Sequence, residues 1–205
     1  MALELIDGNL HHSTRRLADL IWTVDERLMT FLFGSPDDWH RLFSIDWRAH
    51  DGICNHNRSV VAEDGNEIKG VIIGYSADIV EQLFETTLTR WLKDETPAKG
   101  KHLEEAFNKM DRLFPHPMEG SFYILDLAVD VNARKLGIGR KLMDWAVSQA
   151  KQHGLSALEL DVDADNPAVD FYRRLGMYVE VETLVPELSQ YHGVERHYHM
   201  KLRID

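Results

Sequence analysis

A mixed α/β (α+β) sandwich, with strands covered by helices on both faces, is the fold this sequence predicts. Three observations predict it. Apolar side chains recur at helical spacing in several stretches, such as Leu17, Leu20, Ile21, Val24 and Leu28. Other stretches alternate as strands do, with Tyr198, Met200, Leu202 and Ile204 set against His197, His199, Lys201 and Arg203. Between these lies an apolar run, Ser121 to Val129, that leads through a basic loop with two glycines into an amphipathic helix. The chain has 205 residues, 44% of them hydrophobic, enough for one sizeable core and one insertion, so residues 1–205 are expected to form a single domain.

In chain order, Leu3 to Ile6 is expected as a first strand. Ser13 or Thr14 caps a helix that carries the Leu17–Leu28 stripe. Met29 to Phe33 extends this helix, and Gly34-Ser35-Pro36 stops it. Trp39, Leu42, Phe43 and Trp47 mark a second helical stretch. Ser59 to Glu63 and Glu67 to Tyr75 read as strands around the turn Asp64-Gly65-Asn66. Val80, Leu83, Phe84, Leu88, Trp91 and Leu92 then repeat at helical spacing. Leu103, Ala106, Phe107, Met110, Leu113 and Phe114 do so again before Pro115 and Pro117. The strand Ser121 to Val129 follows, then a helix from about Gly137 to His153, stopped by Gly154. Ala157 to Val162 is a strand, Pro167 to Gly176 a short helix, and Met177 to Thr183 and Arg196 to Ile204 the last two strands.

Charge and composition exclude several functions. Net charge is −11, from 34 acids against 23 bases, which argues against a nucleic-acid surface and suits a cationic acceptor. No apolar run approaches the roughly 20 residues of a spanning helix, and the N-terminus has no signal-peptide pattern, so no membrane association is expected. Cys54 is the single cysteine, which excludes an internal disulfide and fits a reducing cytoplasm, the expected location. Cys54 lies in no nucleophile motif, and no catalytic triad is visible. His197 and His199 share a strand face, but without clustered cysteines or a carboxylate pattern no metal is expected.

The loop after Val129 is built to hold an anion. A helix N-terminus offers unpaired N–H groups and a partial positive charge. Gly137 and Gly139 leave room for a phosphate to reach them, and Arg134, Lys135 and Arg140 add charge. A Walker loop is excluded, because Arg140-Lys141 follows Gly139 directly. A dinucleotide fingerprint fits poorly, since Leu142 occupies its third glycine slot, although Asp161 lies where a ribose-binding acid would.

Leu127-Ala128-Val129, then Arg134-Lys135-Leu136-Gly137-Ile138-Gly139, then Phe171-Tyr172-Arg173-Arg174-Leu175-Gly176-Met177 occur in an order and near a spacing that resembles the GNAT superfamily of acetyl-CoA-dependent N-acetyltransferases. The close resemblance covers about residues 121 to 181. It implies a mixed, largely antiparallel sheet that splays open in the middle, with acetyl-CoA as co-substrate and a small-molecule or peptide amine as acceptor. Homodimers are frequent in the family. The chain departs from the family pattern over about residues 76–118, where two helices replace a short hairpin; these either cover the acceptor site or serve structure or dimerisation.

The resemblance also implies roles for residues. Leu127, Ala128 and Val129 occupy the strand that opens at a bulge, where freed backbone groups pair with the pantetheine arm. Arg134, Lys135, Leu136, Gly137, Ile138, Gly139 and Arg140 form the pyrophosphate loop. Tyr172 stands in the slot of the acid that protonates the leaving thiolate and also borders the cofactor. Asp161, opposite Leu160 and Val162, and Asp126, opposite Leu125 and Leu127, are the candidate bases or amine-binding acids. The family places an asparagine seven residues before the tyrosine. Here Asp165 is seven before Tyr172 and Asn166 is six, and Asn166 is favoured because an amide can donate to a carbonyl. A non-catalytic acyl-CoA-binding protein and a dinucleotide-binding oxidoreductase are the alternative readings.

Overall fold

The computed structural model describes residues 3–204. Its strands are β1 (Leu3–Asp7), β2 (Ser59–Asp64), β3 (Glu67–Ser76), β4 (Ser121–Val129), β5 (Ala157–Asp163), β6 (Tyr178–Thr183) and β7 (His197–Arg203). Its helices are α1 (Thr14–Trp22), α2 (Glu26–Phe33), α3 (Pro36–Arg48), α4 (Val80–Lys93), α5 (Pro97–Met110), α6 (Ile138–Gln152), α7 (Ala168–Arg174) and α8 (Pro186–His192). The strands form one sheet in the order β1-β2-β3-β4-β5-β7-β6. Every neighbouring pair is antiparallel except β4 and β5. That pair is joined through α6, as a parallel crossover requires. No helix among the described residues is long and apolar enough to cross a membrane.

A core lies on each face of the sheet. On one face α6 and α7 pack Ile138, Leu142, Met143, Ala146 and Tyr172 against Ile72, Ile124, Leu158 and Leu160. On the other, α1 to α5 and α8 cover Val71, Ile73, Tyr75 and Tyr123 with an aromatic-rich layer that includes Phe33, Trp39, Phe43, Trp47 and Trp91. The 76–118 segment is a structural half of this second layer. Trp91 Nε1 donates to the Leu42 carbonyl at 2.9 Å, and a His102 ring nitrogen lies 3.0 Å from the Phe31 carbonyl. The fully buried Asp46 of α3 accepts from Cys54 N at 2.7 Å and Thr87 Oγ1 at 3.1 Å, and pairs with Arg90.

Two expectations change. The helix read from Thr14 to Phe33 is two helices. Thr23 Oγ1 turns back to the Leu20 carbonyl at 2.7 Å, and Asp25 starts α2 by accepting from Leu28 N at 2.9 Å. The apolar stripe continues across the break, so periodicity alone hides it. The second is α8, a helix over a stretch between the last two expected strands to which the sequence alone assigns no element. Pro186 stands in its first turn, and Gly193, at φ 66°, ends it.

Candidate active site

The sheet opens where β4 and β5 part. They pair only from Ser121 opposite Ala157 to Ile124 opposite Leu160. Beyond that, β5 continues against β7 while β4 stays with β3. Leu125 to Val129 therefore present backbone groups to the gap on their β5 side. At the point of divergence β4 carries a bulge. Asp126 lies opposite Ile73 and Ile124 opposite Gly74, which leaves Leu125 as the extra residue. Strict alternation would set Leu125 and Asp126 on opposite faces. The bulge instead brings Asp126 to the face of Ile73, which belongs to the α1–α5 core.

Asp126 is half-buried. Its carboxylate has no hydrogen-bond or ion-pair partner among the described residues, and desolvation pushes its pKa up to about 7. On the opposite face Tyr172 of α7, buried at 6% exposure, lies near enough to feel the Asp126 charge. Burial, and then the Asp126 charge, raise the Tyr172 phenol well above its ordinary value. The Tyr172 hydroxyl also lacks a partner among the described residues, yet it is not one of the fully enclosed partnerless atoms. A carboxyl lifted toward neutrality and a phenol that keeps its proton thus stand on opposite faces where the sheet opens.

The loop beyond β4 is exposed and basic. Arg134, Lys135, Leu136 and Gly137 are exposed, and Leu136 is 70% exposed although apolar. Gly137, at φ 81°, begins α6 with no side-chain cap and no acid in the first turn. The first loop-to-helix bond is Lys141 N to the Gly137 carbonyl, 3.1 Å, so the preceding N–H groups face outward. Gly137 is required by its left-handed backbone rather than by space, since nothing lies within 4 Å of a Cβ placed there. Gly139 does a different job: a Cβ there would come 3.2 Å from the Phe171 ring, so this glycine seats α6 against α7 and hence locates Tyr172. An uncapped helix N-terminus flanked by Arg134, Lys135 and Arg140 fits a pyrophosphate.

Asp161, unlike Asp126, has hydrogen-bond partners. Its two oxygens are held by Tyr123 Oη at 2.9 Å and His199 Nδ1 at 3.0 Å. His199 Nε2 faces Glu159 at 3.4 Å. With an acid at each ring nitrogen, His199 is an imidazolium, raised to about 9 because these acids outweigh its burial. Glu159, despite its burial, is drawn down to about 2 by His199, Lys201 and the Met118 N–H. Ligand atoms of Glu159, Glu180 and His199 lie within 4.8 Å of one another. Lys201 Nζ, 2.9 Å from Glu159 and 3.4 Å from Glu180, takes the place a cation would fill. Asn166 caps α7 through Ala168 N at 2.9 Å and donates to the Val24 carbonyl at 3.0 Å. Asp165 N bonds back to Asp163.

Residues 19–177 match the model of the acetyltransferase (GNAT) family. The chain belongs to that family. Acetyl-CoA-dependent acetyl transfer is the chemistry of GNAT enzymes. Among known proteins, a mycothiol acetyltransferase of Arthrobacter sp. (strain FB24) is 40% identical over 62 residues, which is 30% of this chain and 19% of that protein. An N-acetyltransferase of Staphylococcus aureus Mu50 superposes with a TM-score of 0.73 at 15% identity, over 97% of this chain and 100% of that one. A crystal structure described as an acetyltransferase gives 0.67 at 21% identity, over 98% and 100%. The NatC complex bound to Gag peptide and CoA gives 0.54 at 13% identity, over 100% of both chains. At these identities the structures share the GNAT fold, whose open sheet is the one found here.

The structure places the loop at the start of α6, and Tyr172 and Asp126 on the two faces of the sheet where it opens. The sequence motifs missed Asp25, Tyr123 and the paired state of His197 and His199. Only Asp25 had a local signal, an acid just before the apolar run Leu28–Phe33.

Proposed function

We propose that this chain, as one catalytic domain, is an N-acetyltransferase that joins acetyl-CoA and a primary amine in a ternary complex. One observation carries the reading: Asp126 and Tyr172, both without partners among the described residues, stand on opposite faces of the sheet where β4 and β5 part, and β4 leads on into the basic loop at the start of α6. The NatC relative was solved with CoA bound. Arg134, Lys135 and Arg140, with the N–H groups at Leu136 to Gly139, would hold the pyrophosphate. The backbone of Leu127, Ala128 and Val129 would pair with the pantetheine arm, and Asn166 would border it. Acetyl-CoA supplies an acetyl thioester. Asp126 takes the proton the amine loses as its nitrogen bonds to the acetyl carbon. Tyr172 gives its proton to the departing sulfur. Asp161, bound by Tyr123 and His199, shapes the wall rather than acting as the base. Holding both reactants in one gap supplies much of the rate by proximity.

Calorimetric titration with acetyl-CoA, followed by thiol release on a panel of primary amines, tests this. Binding with amine-dependent release supports the reading. Binding without release on any amine means a non-catalytic acyl-CoA binder, and no binding removes the proposal. Gly137→Val is expected to lose about 1–2 kcal/mol of stability through its left-handed backbone and to weaken acetyl-CoA at least about tenfold. Tyr172→Phe is expected to lower kcat by about 10–100-fold with little change in acetyl-CoA affinity, because a thiolate leaves unaided more readily than an alkoxide would. Stopped-flow thiol detection measures it.

A further inference from the structure

The break between α1 and α2 makes an elbow, Thr23-Val24-Asp25, and this elbow spans the gap. On one side α1 lies on β3 and β4, where Arg16 bonds the Ile68 carbonyl at 3.3 Å and pairs with Asp130. On the other side the elbow is tied to the half of the molecule that β5 leads into. The Val24 carbonyl accepts from Asn166 at 3.0 Å. Asp25 Oδ2 lies 2.9 Å from His197 Nε2, and Arg27 reaches the Gly193 carbonyl at 3.4 Å. His197 stands opposite Asp163, at the end of β5 farthest from its pairing with β4.

We propose that Asp25 and His197 are positioning residues that, as an ion pair, latch the elbow across the gap between β4 and β5 on the acceptor side. This rests on the acetyltransferase reading only in calling that side the acceptor side. The geometry selects the charged form of His197. Its Nδ1 faces the Glu195 carbonyl at 3.1 Å and its Nε2 faces Asp25, so both nitrogens donate. Asp163, across the ladder, adds a second negative charge, and the Phe114 ring packs on the imidazole at 5.3 Å. Burial opposes the charge on His197, but these acids outweigh it and raise its pKa. Burial likewise opposes Asp25, and His197 with the Leu28 and Arg27 N–H groups lowers it. For the histidine, a raised folded pKa means that its contribution is complete below the unfolded value of 6.5 and is lost as pH rises through the folded value. For Asp25, a lowered pKa means that the contribution is lost as pH falls through that lowered value. The latch is therefore closed between the two and opens on the alkaline side.

Hydrogen exchange of the Thr23–Leu28 amides, corrected for intrinsic rates, reads the latch directly from about pH 6 to about pH 9. Asp25→Asn keeps the helix cap but removes the charge. In the wild type, elbow protection is expected to fall as pH rises. In Asp25→Asn those amides should exchange at least about tenfold faster at the acid end and lose the pH dependence, while α6 amides stay protected and acetyl-CoA affinity stays unchanged. Hydroxylamine serves as a small probe nucleophile: its nitrogen bonds to the acetyl carbon, the C–S bond breaks, and its proton passes to the thiolate. Acetohydroxamate should form faster from acetyl-CoA bound to Asp25→Asn than to the wild type. Elbow protection that is flat with pH, or an Asp25→Asn protein that behaves as the wild type in both readouts, overturns the latch. Failure of the wild type to bind acetyl-CoA would instead remove the enzymatic reading, and the exchange data would still decide whether the latch exists.

Discussion

Asp126→Asn is expected to lower amine-dependent turnover by about 10²–10⁴-fold near neutral pH, the range typical of a lost general base. Acetyl-CoA affinity should survive, because the anion loop lies beyond the far end of β4 and does not touch this side chain. The wild-type kcat/KM should rise with pH to a plateau through a group of about 7, the value to which desolvation lifts Asp126, and the variant should lack that limb. Stability should move the other way. A carboxyl whose folded pKa is raised holds its proton more tightly when folded, so the native state loses stability as pH climbs from the unfolded value of 3.8 toward about 7. Asn cannot ionise and escapes that loss. Above neutrality Asp126→Asn should therefore melt at a higher temperature than the wild type while turning over far more slowly. A variant that lost both activity and thermal stability would assign Asp126 to structure instead.

The second large effect concerns the extra helices. Asp46→Ala should destabilise the fold by about 3–5 kcal/mol, a cost typical of removing one partner from a buried ion pair. Against a total of about 5–15 kcal/mol, this approaches loss of the native state. The carboxylate is fully buried and joins its own helix α3 to two other segments, the loop at Cys54 N and α4 through Thr87 and Arg90. Gly52 packs so closely on it that any side chain there would collide with its oxygens. Asp46→Asn keeps an acceptor for Cys54 or Thr87 and should lose less. Urea midpoints of the two variants decide between them. If Asp46→Ala unfolds at the wild-type midpoint, the 76–118 helices are an appendage rather than part of the core.

The part of the fold legible in the sequence is the part made by neighbours in the chain. A strand, a glycine loop and a helix in succession marked the region from Ser121 to Gly154, and the short helix with Tyr172 followed from Pro167 before it and Gly176 after it. The Leu125 bulge was not legible in position, because a bulge is a mismatch between two strands and β4 alone looks regular. The helix break at Thr23 was hidden because the apolar stripe runs on through Val24 and Leu28. Asp161 read as a free strand acid since its partners, Tyr123 and His199, are 38 residues away on either side. His197 and His199 alternate with apolar residues as surface positions would, yet both are buried at 2% exposure. Asp25 and Phe114 cover His197, and His199 sits between Asp161 and Glu159, distant parts of the chain that a strand's own pattern cannot announce.

The four-residue seam between β4 and β5 has a consequence for how such a molecule can diversify. The loop after β4, α6 and α7 pack on one face, while α1 to α5 and α8 pack on the other, and the two buried cores share no residue. Asp126 and Tyr172 belong to different halves, so under the proposed mechanism the reacting groups tolerate change in either layer provided the seam keeps its register. The α1–α5 layer could then be exchanged for one of different shape, giving a new acceptor, without re-inventing the half that holds the acetyl donor.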